Sequence, residues 1–87
     1  MENENSDGCE SLYCALALVD ETTNTAKAWK IRVQGSTITR SWGRIGAKER
    51  IRTTTLESNE IALKVARAMI RRKLRKGYAL TAKEGLL

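Results

Sequence analysis

The sequence predicts an α+β domain in which one long helix packs on one face of an antiparallel sheet of four strands, with a fifth strand as an alternative. Through residue 56, apolar and polar residues alternate in short runs separated by polar turns, which is the pattern of half-buried strands. From Ser58 the apolar spacing changes to the helical period, and neither glycine nor proline occurs between Glu60 and Lys76. Because the connections between the first runs are short, neighbouring strands are expected to be antiparallel.

Four strands are predicted in the first half of the chain, over residues 11–19, 27–34, 36–42 and 50–56. In the second strand Trp29, Ile31 and Val33 share one face, which makes Trp29 the expected core tryptophan. A polar turn over residues 20–25 precedes this strand, and Gly35 with Ser36 forms a hairpin loop after it.

The predicted helix spans residues 60–76, with Ser58 or Asn59 at its N-cap and Gly77 at its C-cap. Its apolar face includes Ala62, Ala66 and Ile70. Four cations fall within about 80° of arc on the opposite side of a helical wheel: Lys64, Arg67, Arg71 and Arg75. They predict a phosphate-binding track or a solvated face, and the absence of any acid after Glu60 in the helix favours the track.

With 87 residues the chain has room for a single small core. We expect a disordered acidic tail over residues 1–10, the folded domain over residues 11–80 and a short tail over residues 81–87. Residues 1–21 carry six acids and no base, whereas the remainder carries sixteen bases and four acids. Such a basic domain is expected to bind polyanions, nucleic acid foremost.

The composition excludes several classes of function. The chain has no histidine, two cysteines and no visible pair of convergent carboxylates, so we predict no catalytic residues, no metal site and no cofactor. No apolar run is long enough to span a membrane, and the acidic N-terminus is unlike a secretory signal. We therefore expect a non-enzymatic, cytoplasmic and monomeric protein that does not bind membranes.

The stretch over residues 40–46 carries the strongest functional signal. Trp42 stands between two guanidinium groups, those of Arg40 and Arg44, and glycines at positions 43 and 46 flank Arg44. A tryptophan that stacks on a sugar or a base, with arginines that pair with phosphates, is a typical nucleic-acid contact. The alternative is that Trp42 belongs to the core and that the arginines are merely solvated.

Taken together, the motif over residues 42–46 (Trp-Gly-Arg-Ile-Gly), the strand start Lys27-Ala28-Trp29 and the helix end at Lys76-Gly77-Tyr78 resemble a WGR domain. This module is named for Trp-Gly-Arg and occurs in DNA-dependent poly(ADP-ribose) polymerases and in many bacterial proteins. The resemblance covers residues 11–80. It implies binding of DNA near a strand break or duplex end, without catalysis.

Carried over to this chain, the resemblance gives Trp42 the stacking role and Arg44 the anchoring role, with Gly43 letting the nucleotide approach. Many relatives have an asparagine next to the lysine that corresponds to Lys27; Ala26 stands there in this chain, and Asn24 is two residues away. Glu49 also departs from the usual glycine, and its carboxylate is expected to repel phosphate. Both departures favour general over end-specific DNA binding.

Two hypotheses follow from the sequence. In the first, the chain binds DNA, with RNA as an alternative, and twelve residues form the site: Asn24, Lys27, Arg40, Trp42, Gly43, Arg44, Lys48, Arg50, Lys64, Arg67, Arg71 and Arg75. No base-reading motif is present, so low sequence specificity is expected. In the second, the same Trp-Arg surface docks another protein or domain.

Overall fold

The computed structural model describes residues 10–85, which form a five-stranded antiparallel sheet with one helix packed on it. The strands are β1 (Leu12–Asp20), β2 (Thr25–Gln34), β3 (Thr37–Arg44), β4 (Arg50–Thr55) and β5 (Ala79–Gly85), and the helix is α1 (Asn59–Arg75). The order across the sheet is β4-β3-β2-β1-β5. The predicted α+β class is confirmed, and the sheet has the fifth strand.

Helix α1 carries the chain from one edge of the sheet to the other, because it follows edge strand β4 and precedes edge strand β5. It packs on β1, β2 and β3. Its buried residues Ala62, Leu63, Ala66 and Ile70 meet a core that includes Leu16, Ile31, Val33 and Ile38. The small alanine side chains let the helix approach the sheet closely, and β4 extends beyond this covered area.

Trp29 is a core residue, as predicted, with 4% of its surface exposed. It lies on the helix-facing side of β2 with Ile31 and Val33, which are completely buried. The alternation seen in the sequence therefore identifies the correct face of this strand.

Side chains fix the N-terminal end of α1. The Ser58 hydroxyl accepts a hydrogen bond from the Ile61 amide at 3.1 Å and is the N-cap. Asn59 has another role: its amide nitrogen donates to the carbonyl oxygens of Gly35 at 2.6 Å and Glu10 at 2.9 Å. These bonds tie the helix start to the β2–β3 turn and to the entry into β1.

The predicted C-terminal boundary after Leu80 is wrong, because residues 81–85 continue β5 and pair with β1. All seven side chains of β5 are exposed, so the strand has no alternating apolar signal. Main-chain hydrogen bonds hold it instead, and the Thr81 hydroxyl donates to the Ala15 carbonyl at 3.0 Å where the register shifts. The tail predicted over residues 1–10 lies outside the described residues except for Glu10, and so do residues 86 and 87.

Candidate nucleic-acid interface

An open groove of about 850 Å³ lies between the C-terminal end of α1 and the neighbouring ends of β2 and β3. Among residues 10–85, eight cations and three aromatic side chains line it without an acid: Lys27, Arg40, Arg44, Lys48, Arg50, Arg72, Lys73 and Lys76, with Trp29, Trp42 and Tyr78. Such a concentration of one sign of charge in a concave surface attracts anions.

The strand register brings the β3 and β4 members of this set onto one face. Trp42 pairs with Trp29 on β2 and with Arg50 on β4, and residues directly opposite each other in a sheet point to the same side. Arg40 follows the same rule because it pairs with Ile31. Trp42 is half-buried against the core, and the Arg40 guanidinium lies 5.9 Å from the centre of its indole ring. One portion of Trp42 therefore packs on the core, and another lines the groove.

The start of β2 and the end of β3 supply the next two cations. Lys27 pairs with Arg44 in the register, so both side chains lie on the groove side. The Arg44 guanidinium donates to the Asn24 carbonyl oxygen at 3.4 Å. Asn24 itself has a positive φ of 55° in the β1–β2 turn and does not line the groove. Its contact with the site is this carbonyl bond.

Gly43 has a different environment from the one implied by the resemblance. Its missing side chain would point away from Trp42 towards the loop before β4, where a Cβ would lie 3.4 Å from the Lys48 carbonyl oxygen and 3.5 Å from the Glu49 Cα. A methyl group would touch the loop, and a longer side chain would displace it. This geometry assigns Gly43 to packing of the loop that carries Lys48, and only its backbone lines the groove.

Glu49 does not place its carboxylate in the groove. It forms an ion pair with Lys30, with 3.0 Å between Nζ and Oε2, and this contact raises the pKa of Lys30. Lys30 alternates with Trp29 and so lies on the opposite sheet face. The expected repulsion of phosphate by Glu49 is therefore removed by its orientation and its partner.

The end of α1 positions Lys73 and Tyr78. The Tyr78 amide donates to the Lys73 carbonyl at 3.2 Å and the Gly77 amide to the Leu74 carbonyl at 3.1 Å, which is the Schellman arrangement. Gly77 has a φ of 106°, a conformation that glycine adopts without a Cβ clash. This turn folds Tyr78 back, so the Lys73 ammonium lies 5.3 Å from its ring centre and 5.6 Å from that of Trp29.

The charged form of Lys73 is disfavoured relative to its neutral form, in comparison with an exposed lysine. Burial lowers its pKa, and four neighbouring cations lower it further: Lys76, Lys27, Arg40 and Arg72. The ion pair between Lys30 and Glu49 is the single one found within residues 10–85, so Lys73 has no carboxylate partner there. An anion in the groove would relieve this repulsion.

The predicted helix track does not line the groove. Lys64, Arg67, Arg71 and Arg75, which we call the ridge, lie on the side of α1 away from its buried residues. Arg67 is half-buried and the other three are exposed. The ridge thus lies apart from the groove. Six of the twelve predicted site residues line the groove with their side chains: Lys27, Arg40, Trp42, Arg44, Lys48 and Arg50.

Sequence reasoning missed four residues that complete the groove: Arg72, Lys73, Lys76 and Tyr78. On a helical wheel Arg72 lies between the apolar face and the ridge, whereas Lys73 and Lys76 fall within the apolar arc, so the wheel does not group them with the ridge cations. The pair Gly77-Tyr78 did contain a signal, because a glycine after a helix predicts a Schellman turn that brings the following residue back onto the last turn.

No group of three or more acids, cysteines or histidines within residues 10–85 is placed to hold a metal ion. Cys14 is buried, and burial raises the pKa of its thiol. No helix in this part of the chain is long and apolar enough to cross a membrane.

The fold and the groove define a small α+β module with a basic, aromatic-lined surface. The model of the WGR domain family matches residues 12–85, and the chain belongs to this family. The family is generally a nucleic-acid-binding, non-catalytic module.

A solved relative supports the same fold. The crystal structure of a protein from Bacteroides fragilis is similar, with a TM-score of 0.75 and 26% sequence identity over 80% of this chain. The match covers 19% of that protein, so the chain corresponds to about a fifth of its length. No curated protein matches the chain.

Proposed function

We propose that the chain binds nucleic acid, DNA foremost, through the groove, without catalysis and with low sequence specificity. The observation that carries this proposal is the composition of the groove, in which eight cations and three aromatic side chains meet without an acid from the described part of the chain. Cations neutralise backbone phosphates and aromatic rings stack on bases or sugars, and neither contact depends strongly on sequence.

Each side chain has a role in this proposal. Trp42 stacks on the exposed face of a nucleotide, and Arg44 binds an adjacent phosphate in the orientation set by the Asn24 carbonyl. Arg40 and Arg50 flank the indole on its own face of the sheet. Lys27 and Lys48 extend the same positive surface to the two ends of the groove.

The end of a duplex or a strand break suits the groove better than an uninterrupted duplex. Stacking on Trp42 requires a nucleotide face that is not covered by another base pair, and a terminus or a nick supplies one. Lys30 neutralises Glu49 on the far side of the sheet, which removes one objection to end recognition.

The ridge contributes at longer range. Four cations on the outer side of α1 raise the positive potential of the molecule and favour encounter with a polyanion. Because they do not line the groove, their replacement is expected to weaken binding less than replacement of groove cations.

The test is a fluorescence-anisotropy titration at two salt concentrations with labelled oligonucleotides of matched length. The set contains a blunt duplex with and without a 5′ phosphate, a nicked duplex, a closed hairpin, a single strand and an RNA duplex. If about four phosphates are neutralised, log K falls against log salt with a slope of about −3.6. Tighter binding to open or nicked forms than to the closed hairpin supports end recognition.

Two double variants with the same change of charge separate the surfaces. Arg44→Glu with Lys48→Glu alters the groove, and Arg67→Glu with Arg71→Glu alters the ridge. We expect the groove variant to lose more affinity and more of the salt slope. Equal losses would refute the assignment to the groove, and the absence of binding near physiological salt would favour docking of another protein on the Trp42 and Arg44 surface.

A further inference from the structure

Lys73 differs from the other cations of the groove in its surroundings. Its side chain is half-buried, whereas Arg72 and Lys76 on the same helix end are exposed. Its Nζ atom lies 5.6 Å from the ring centre of Trp29, which is a core residue, and 5.3 Å from that of Tyr78. Lys73 therefore occupies the inner wall of the groove, between two aromatic rings.

These surroundings favour the neutral amine. Burial is the largest cause of the lowered pKa of Lys73, followed by the charges of Lys76, Lys27, Arg40 and Arg72. Among residues 10–85 no carboxylate lies within ion-pair distance of this ammonium. A lysine that is partly desolvated and crowded by other cations is the type that acts as a nucleophile in proteins.

Phosphate binding does not require this amine. Seven other cations line the same groove and are available to neutralise a backbone. A phosphate next to Lys73 would raise its pKa again, but the more exposed cations around it compete for that phosphate. The amine of Lys73 therefore faces the part of a bound nucleotide that reaches the inner wall of the groove.

We propose that Lys73 is a covalent capture site in which its ε-amine forms an imine with the aldehyde of a base-less deoxyribose in bound nucleic acid. The inference rests on the proposed function, because the groove must first bind the nucleic acid. A sugar that has lost its base exists partly as the open-chain aldehyde, which intact nucleotides do not offer.

The reaction is a condensation that needs no further reactant. The Lys73 nitrogen attacks the aldehyde carbon, the carbonyl oxygen takes up a proton, and the resulting carbinolamine loses one water to form the carbon–nitrogen double bond. Once protonated, this imine carries a positive charge between the rings of Trp29 and Tyr78, which favour a cation at their faces.

Borohydride trapping tests the capture site. The full chain is incubated with a duplex that carries one base-less site and with sodium cyanoborohydride, which reduces the imine to a stable amine visible on a denaturing gel. Two control duplexes have an intact base or a tetrahydrofuran analogue that has no aldehyde. We expect an adduct with the base-less duplex alone, and peptide mapping should locate it at Lys73.

Matched variants distinguish Lys73 from its neighbours. Lys73→Arg keeps the charge and the contact with the rings but cannot form an imine, and Lys76→Arg makes the same change at an exposed position of the same helix end. We expect Lys73→Arg to lose the adduct and Lys76→Arg to keep it when the two variants are compared at protein concentrations that give equal occupancy of the duplex.

The possible failures are distinguishable. Binding of the intact duplex without any trapped adduct would overturn the capture site and leave the proposed function standing. An adduct that persists at wild-type level in Lys73→Arg would overturn the assignment to this lysine. Loss of both duplex binding and adduct in the wild-type chain would overturn both proposals.

Discussion

Replacement of Trp42 by alanine separates the contribution of this side chain to binding from its contribution to folding. Loss of one stacking contact with a nucleotide costs about 1–3 kcal/mol, which corresponds to a Kd raised about 5- to 150-fold. The half-buried indole also packs on the core. Truncation of a fully buried tryptophan costs about 3–5 kcal/mol, so about 2 kcal/mol is expected for this residue.

The loss of folding stability in Trp42→Ala does not obscure the loss of affinity. A domain of this size has a free energy of unfolding of about 5 kcal/mol, and about 3 kcal/mol would remain after the substitution. At that stability about 1% of the molecules are unfolded, which changes the apparent Kd by about 1%. A fivefold or larger change would therefore report the lost contact with the nucleotide.

Tyr13→Ala is the matched control. Tyr13 is a half-buried aromatic residue on the opposite sheet face, and the Arg32 guanidinium lies 4.6 Å from its ring centre, as Arg40 lies near Trp42. We expect this variant to lose stability without losing affinity for DNA. Fluorescence of Trp29, the one tryptophan left in Trp42→Ala, reports that the core is intact.

The assay is anisotropy with the nicked duplex, combined with urea unfolding of each variant. A Kd for Trp42→Ala within about twofold of wild type, which is below the 1 kcal/mol expected for stacking, would make Trp42 a packing residue and refute the stacking role. Equal losses of affinity in Trp42→Ala and Tyr13→Ala would refute the assignment of binding to the groove face.

Two further substitutions test the energetics. In Lys73→Met we expect a more stable free protein at pH 7, since burial and neighbouring cations lower the pKa of Lys73 in the folded state. Between that lowered pKa and 10.5 the unfolded state binds more protons than the folded state, so the free energy of unfolding of the wild type increases with pH. The difference in this free energy between Lys73→Met and wild type should therefore shrink towards pH 10. A difference that stays constant in urea unfolding would contradict this. In Gly85→Ala the new Cβ would clash with the Ser11 carbonyl oxygen at a φ of 83°, and we expect a loss of about 1–3 kcal/mol or fraying of β5, measured by thermal unfolding and amide exchange. Gly35→Ala has a similar φ of 60° with nothing within 4 Å of its Cβ, so an equal loss there would rule out the clash as the cause.

The surroundings of Lys73 suggest how stability and binding oppose each other in this module. Cations that repel one another in the groove destabilise the free protein, and the same cations would attract an anionic ligand. The protein is therefore expected to gain stability on ligand binding, with the logarithm of the ratio of ligand concentration to Kd.

The sequence by itself determined the fold class, the core tryptophan and the limits of the helix. Alternation fixes which side of a strand is apolar, and a change to the helical period fixes where the helix begins, because both depend on local geometry. Ser58 and Gly77 could be identified as caps for the same reason, since capping joins residues that are close in the chain.

The sequence also predicted about half of the charged and aromatic side chains that line the groove. Trp42 with Arg40 and Arg44 could be grouped because they are neighbours on one strand, and Lys27 could be added through the resemblance to WGR domains. Alternation along β3 places Gly43 on the face opposite Trp42, and its Cβ position indeed faces the loop on the other side of the sheet.

Only the tertiary structure decided which helix cations join Trp42. The wheel orders residues around α1, but the crossing of the helix over the sheet sets which arc borders the open β3–β4 region, and this depends on packing between elements distant in the chain. For this reason Arg72, Lys73 and Lys76 line the groove while the ridge lies apart from it. The extent of edge strand β5 could not be predicted on similar grounds, because its exposed side chains carry no period and its stability comes from main-chain bonds to β1 that no local pattern records.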